Sequence, residues 1–377
     1  MSPRRSAAGT AAPIRVALVG LGWAATSIWL PRLRRHPGFA VTAAVDPDPE
    51  ARTAFERAAA GTPLFPDTDD LPPRAADLAV VAVPNHAHCA VAVRLLGRGV
   101  PVFLEKPVCL DSAEADRLEE AERASGAALL AGSAARLRGD IRVLHDTLPS
   151  LGRIRHVELA WVRARGVPDA GGWFTHRRLA GGGALLDLGW HLLDTALSLV
   201  GPVEFDGIVG ATSADFVNAH SRRAAWRGGA TAAPPDGDVE DTARGFLTTR
   251  QGVSIALRAS WASHQPRDTT TVTVDGSDGS ATLGCTFGFS PNRPDHSSLT
   301  LVRDGHTIDV ALPDEPVGTE YDRQIDLLPD LLADPGAPGR AVRDARRIIA
   351  GIEGLYVSAR SRHPRASVHA IPEEGWA

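Results

Sequence analysis

Ile14-Arg15-Val16-Ala17-Leu18-Val19-Gly20-Leu21-Gly22-Trp23-Ala24-Ala25 carries an apolar run straight into a Gly-x-Gly-x-x-Ala pattern. The run has strand character, and Trp23 to Arg35 has helix-like spacing, so the glycines stand where a strand hands over to a helix. Each small residue has its own duty there. Gly20 permits the tight turn, Gly22 lets the backbone approach a pyrophosphate, and Ala25 allows the helix to pack on the strand. Trp23 belongs to the same loop and counts with its cofactor contacts. Free N–H groups at the helix start would then face phosphates. Asp46 closes the next apolar run, Phe39 to Val45, and lies 21 residues beyond Ala25. At that spacing a carboxylate accepts from the adenosine ribose hydroxyls and repels a 2′-phosphate. The reading is a dinucleotide site for NAD, with NADP disfavoured.

The alternation continues outward from this loop. Pro49 to Ala60 reads as helix, Leu78 to Val83 as a strand closed by Pro84, His88 to Gly97 as helix and Val100 to Leu104 as strand. Ser112 to Ser125 is a charged amphipathic helix with Asp111 or Ser112 as N-cap, and Ala127 to Ala131 is a further strand. Strand and helix in turn imply a parallel sheet with helices on both faces, a doubly wound Rossmann domain over residues 14–133. After Ser133 the rhythm changes. Val157, Leu159 and Trp161 alternate with polar neighbours, as do Ile255, Leu257, Ala259 and Trp261, and Thr269 to Val274 repeats the pattern. Period two of this kind marks strands with one buried face, typical of antiparallel sheets. One helix is expected among them, Ala184 to Val200, and another from Val342 to Ser361. Residues 134–377 therefore read as an α+β domain for substrate binding and oligomerisation. Residues 1–13 read as a disordered tail, and Asn218 to Asp238 and Phe287 to Ser298 as surface excursions.

Composition narrows the function. Among 377 residues, 40 are Lys or Arg and 45 Asp or Glu, a net charge of -5, which is the wrong sign for a chain that binds nucleic acid through phosphates. Three scattered cysteines, Cys89, Cys109 and Cys285, make neither a disulfide framework nor a zinc site. No apolar run is long enough to span a bilayer. A cytoplasmic protein with no membrane partner is expected. His86 and His88 lack a third ligand nearby, so no metal is expected.

Candidate chemistry falls in two further places. Glu105-Lys106-Pro107 lies at the carboxyl end of a parallel strand, where ligands of such sheets bind. A lysine there can donate to a substrate oxygen, although alone the segment reads equally as a charged turn. Asp187 and His191 are four apart in the apolar stretch Gly181-Gly182-Gly183-Ala184-Leu185-Leu186-Asp187-Leu188-Gly189-Trp190-His191, so they share a helix face. A neighbouring carboxylate can orient a histidine and raise its basicity, and the alternative is a buried pair that only braces the helix. Asp194 reads as such a hydrogen-bond anchor. Pro84, Asn85 and His88 follow a strand end and fall by the cofactor cleft, and Glu105 and Lys106 count with them as cofactor-binding residues. Arg163 could meet an anionic substrate group, but with Arg165 reads first as a solvated strand end. Trp173, in a glycine-rich loop, either walls a pocket or simply packs.

Taken together, Gly20-x-Gly22-x-x-Ala25, Pro84-Asn85-x-x-His88, Glu105-Lys106-Pro107 and Gly181 to His191 resemble the glucose–fructose oxidoreductase, inositol dehydrogenase and rhizopine-catabolism (Gfo/Idh/MocA) family over nearly the whole chain after Pro13. Val239-Glu240-Asp241 and Asp275-Gly276 with Gly279-Ser280 look like its second domain. The resemblance implies a Rossmann domain followed by a large, open, mostly antiparallel sheet whose face makes homodimers or homotetramers. It implies catalysis by Lys106, Asp187 and His191 on a secondary alcohol or ketone of a sugar, aminosugar, nucleotide sugar or cyclitol. Three other readings stay open: a glycosidase of the same fold that uses NAD without net redox, an enzyme whose tightly held cofactor shuttles hydride between two sugars, and a non-catalytic nucleotide sensor.

Overall fold

The computed structural model describes residues 12–168, 172–224 and 236–361. The first domain runs β1 (Ile14–Val19), α1 (Leu30–Arg35), β2 (Phe39–Val45), α2 (Pro49–Ala58), β3 (Leu64–Phe65), β4 (Leu78–Val81), α3 (His88–Gly97), β5 (Val102–Leu104), α4 (Ser112–Ser125) and β6 (Leu129–Ala131). Its six strands lie parallel in the order β3-β2-β1-β4-β5-β6. Val16 to Val19 and Leu78 to Val81 are buried without interruption, as strands covered by helices on both faces must be. The strand order reverses between β1 and β4, which opens a crevice outside their carboxyl ends. The helix expected from Trp23 to Arg35 is split: Ala24–Trp29 is π-helical and α1 continues it. In α4, Asp111 caps the helix by accepting from Glu114 N at 2.7 Å, and Gly126 closes it at φ 71°.

The second domain runs α5 (Gly139–Thr147), β7 (His156–Val162), α6 (Arg177–Ala180), α7 (Ala184–Val200), β8 (Phe205–Ser213), β9 (Thr242–Thr249), β10 (Ser254–Ser260), β11 (Thr269–Asp275), β12 (Ser280–Cys285), β13 (Ser298–Arg303), β14 (His306–Val310), α8 (Thr319–Ala333) and α9 (Arg340–Ser361). Eight strands form one sheet in the order β14-β13-β12-β11-β7-β10-β9-β8, antiparallel except where β7 and β10 run parallel. Register brings Val157 beside Ile255 and Val274, and Leu159 beside Leu257 and Val272, so the alternating apolar residues make one buried face. The helix α7 packs there, apolar around nearly its whole circumference.

The structure corrects two expectations. The second domain holds α5, α6 and α8 besides the helix expected at Ala184–Val200. Pro329 inside α8 and the short apolar repeat of α5 masked their periodicity. Phe287 to Ser298 is not simply a surface loop, because Phe287 is buried with its ring edge-on to Trp161 at 5.5 Å. Of the other excursion, Val217 beside it is buried, and residues 225–235 lie outside the described residues, as do 1–11 of the expected tail.

Candidate active site

The crevice between β1 and β4 widens into a cavity of about 890 Å³ that runs from Gly20, Gly22 and Asp46 to Lys106, Asp187 and His191. The glycine-loop end follows from local chain geometry. Gly20 takes φ +83°, and a Cβ there would stand 2.8 Å from the backbone of Ala82, so this turn must be glycine. At Gly22 a Cβ would meet nothing within 4 Å. Its freedom from a side chain serves whatever enters the cleft, which fits a pyrophosphate laid against the loop. Asp46 ties the loop to β2: Oδ2 accepts from Leu21 N at 2.8 Å and Oδ1 from Asp48 N at 2.9 Å. Trp23 stands half-exposed at the rim, edge-on to Phe289 at 5.6 Å.

At the other end, Lys106 leaves β5 through a cis peptide to Pro107. Glu105 fixes that turn from beneath, Oε1 accepting from Trp29 Nε1 at 2.8 Å and Oε2 from Lys106 N at 2.9 Å. Burial raises the Glu105 carboxyl above its ordinary range, against the pull of Lys106 and these donors. Lys106 Nζ donates to Asp187 Oδ1 at 2.6 Å, and Trp261 Nε1 donates to Asp187 Oδ2 at 2.9 Å. The Lys106 and Asp187 side chains are 18% and 6% exposed. Two residues 81 apart in sequence, one from each domain, therefore meet in one charge-assisted bond.

His191 lies one turn beyond Asp187 on α7, with Trp161 5.6 Å from its ring. Burial, then Lys106, lowers its pKa to about 3; Arg163 adds to this, and Asp187 opposes it. Burial thus favours the neutral ring and outweighs the neighbouring carboxylate that was expected to raise its basicity. Arg163 is buried, stacked over Trp161 at 4.9 Å, and lines the cavity with Trp173. The solvated strand end first read at Arg163 is overturned, because β7 runs inward under the cleft.

Several residues assigned from sequence to the cofactor turn their polar atoms to the protein. His88 is buried, its Nδ1 2.7 Å from Pro107 O and its Nε2 2.9 Å from Val83 O, so it bridges the ends of β4 and β5. Burial pushes its pKa down to about 4. Asn85, directly after Pro84, donates from Nδ2 to Ala180 O at 2.9 Å and links the domains. Asp194 is buried against Arg136, as an anchor should be. Sequence reasoning missed Trp261 as a partner of Asp187. It sits just past β10, where only the sheet register brings it beneath α7. Among the described residues, no His/Cys/Asp/Glu cluster could hold a metal ion, and no helix is long and apolar enough to cross a membrane.

Residues 14–133 match the model for the oxidoreductase family with NAD-binding Rossmann fold, and residues 149–282 match the GFO/IDH/MocA C-terminal domain. The chain belongs to the Gfo/Idh/MocA oxidoreductase family. It is 58% identical over 360 residues, 95% of this chain and 99% of the other, to the "Putative UDP-kanosamine synthase oxidoreductase subunit" of Amycolatopsis mediterranei (strain S699). It is 26% identical over 263 residues, 67% of this chain and 72% of the other, to D-glucoside 3-dehydrogenase of Escherichia coli (strain K12). The crystal structure of GenD2 from gentamicin A biosynthesis in complex with NAD superposes with a TM-score of 0.74 at 23% identity, over 96% of this chain and 97% of that one. Like its Gfo/Idh/MocA relatives, the protein is an oxidoreductase of sugar hydroxyl or keto groups with an NAD-binding Rossmann domain.

Proposed function

We propose that this enzyme oxidises the C3 hydroxyl of a UDP-linked hexose to a ketone with NAD, and that Lys106, Asp187 and His191 carry the reaction. The observation that supports this most strongly is the Lys106–Asp187 bond in the wall of the same cleft as His191 and the glycine loop. NAD held by the Gly20–Gly22 loop and Asp46 would supply the hydride acceptor. The chain's own side chains manage the proton and the charge. His191 takes the hydroxyl proton on a ring nitrogen that burial keeps neutral. Lys106 donates from Nζ to the same oxygen as its negative charge grows. Asp187 holds Lys106 in place, and reduction runs the same steps backward. Arg163 and Trp173 line the substrate end, and Asp46 favours NAD over NADP by repelling a 2′-phosphate.

The UDP-kanosamine synthase and D-glucoside 3-dehydrogenase relatives support this substrate. Kanosamine carries its amine at C3 of a hexose, and an amine reaches that carbon through a ketone. The glucoside relative is itself named for position 3. We further propose that the enzyme works in the cytoplasm as a homodimer or homotetramer through the outer face of the β8–β14 sheet, where Val209 and Phe246 are 44% and 46% exposed. The test is NADH formation from UDP-glucose by the wild type and by Lys106→Met and His191→Ala. Each substitution is expected to cut turnover about 100- to 10,000-fold with nucleotide binding kept. Near-normal turnover in either folded variant defeats the assignment.

A further inference from the structure

The helix that presents Asp187 and His191 begins without a cap of its own. Its N-cap is Gly183, which has no side chain to receive the first amides. Glu240 supplies what is missing from across the domain. Its Oε1 accepts from Gly183 N and from Leu185 N, each at 3.0 Å, and its backbone carbonyl accepts from Ala184 N at 3.0 Å. Three successive amides of the catalytic helix thus end on one residue. A carboxylate at this end of a helix is also favoured by the helix dipole. The close approach explains two glycines that the phosphate loop does not. A Cβ on Gly183 would stand 1.8 Å from Glu240 O, and one on Gly182 would stand 2.1 Å from the hydroxyl of Tyr356. Tyr356, on α9, donates a further bond to Glu240 Oε1 at 2.8 Å.

The next residue closes the circuit. Asp241 O accepts from Trp261 N at 2.8 Å, and the Trp261 indole donates to Asp187. The Glu240–Asp241 pair therefore holds Asp187 twice, through the start of its helix and through its carboxylate. We propose that Glu240 is a positioning residue that sets where Asp187 and His191 stand along the helix axis relative to Lys106. The inference rests on the catalytic assignment above, because it gives Glu240 a task only if those residues react.

The test compares Glu240→Ala, Glu240→Gln and Tyr356→Phe with the wild type and Lys106→Met, all as full chains, below the melting temperature of the weakest variant. A displacement of about 1 Å costs on the order of 100-fold, so Glu240→Ala is expected to lose roughly 10- to 100-fold in kcat, with the KM for NAD changed less than about threefold. Glutamine keeps an acceptor oxygen, so Glu240→Gln is expected to recover kcat to within about threefold of wild type. Tyr356→Phe, which removes one donor of three, is expected to fall between the two. Normal kcat in folded Glu240→Ala overturns the proposal, as does a rise in the KM for NAD alone. If Glu240→Ala does not fold, failure of Glu240→Gln to outperform Tyr356→Phe overturns it instead. Normal turnover in Lys106→Met would show that the catalytic assignment itself has failed, a result separable from either outcome.

Discussion

Replacing Asp187 with asparagine keeps the shape of the side chain but removes one of its two acceptors. In the native site one carboxylate oxygen receives the Lys106 ammonium at 2.6 Å and the other the Trp261 indole at 2.9 Å. An amide can satisfy one of these donors, and its NH2 must then face the other. Leaving a buried donor unpaired costs about 1–3 kcal/mol, and breaking a fully buried ion pair costs about 3–5 kcal/mol. Lys106 is 18% exposed, so solvent moderates the loss, and about 2 kcal/mol of stability is the working figure. The kinetic loss should be larger, because a misdirected Lys106 no longer meets the substrate oxygen: about 100- to 1,000-fold in kcat/KM, or roughly 3–4 kcal/mol of barrier. Steady-state NADH formation with UDP-glucose measures it, with the dissociation constant of NADH as control. A double-mutant cycle makes the test sharp. If Asp187 acts through Lys106, Asp187→Asn combined with Lys106→Met loses no more than the worse single variant. Multiplicative losses would refute this and send the role of Asp187 to His191.

Other outcomes follow from the same geometry. Gly20→Ala should destabilise the fold, because its Cβ meets the Ala82 backbone at 2.8 Å, whereas Gly22→Ala should leave melting unchanged and weaken only NAD binding; equal effects on melting would contradict the loop reading. The pKa of His191 is lowered, so its base-competent form persists as pH falls, and kcat/KM should show no inflection near the usual histidine value of about 6.5. An acid limb centred there would count against His191 as the base. His88, buried and lowered to about 4, binds its proton more readily when unfolded, so stability should fall as pH drops from about 6.5 toward 4, with His88 alone contributing about 2 kcal/mol at pH 5 and His191 adding to the fall. A urea midpoint unchanged over that interval would contradict its burial as a neutral ring.

The first domain was legible because its signals are local. An uninterrupted apolar strand, a turn that only Gly20 can make and a capped α4 each announce themselves within a dozen residues. The pairing of Lys106 with Asp187 was half legible: the residue types and their strand-end and helix positions could be read, but not that Asp187 turns to Lys106. That contact depends on how α7 settles on the second sheet, which no spacing encodes. Trp261 and Tyr356 were invisible as site residues for the same reason, since each reaches α7 or its capping residue from an element distant in sequence. Arg163 misled because a charged residue after an alternating strand ordinarily ends in solvent, whereas here Trp161 supplies a ring for it to cover. Pro329 hid α8 by breaking a pattern that the helix itself tolerates.

The fate of a single isotope tests the central claim most directly. UDP-glucose carrying deuterium on C3 is incubated with enzyme and NAD, and the reduced nucleotide is isolated and weighed by mass spectrometry. The account predicts one deuterium in the NADH formed by wild type and almost no NADH from Lys106→Met. Unlabelled NADH from the wild type would place the oxidation at another carbon, and labelled NADH from Lys106→Met at the wild-type rate would remove Lys106 from the reaction.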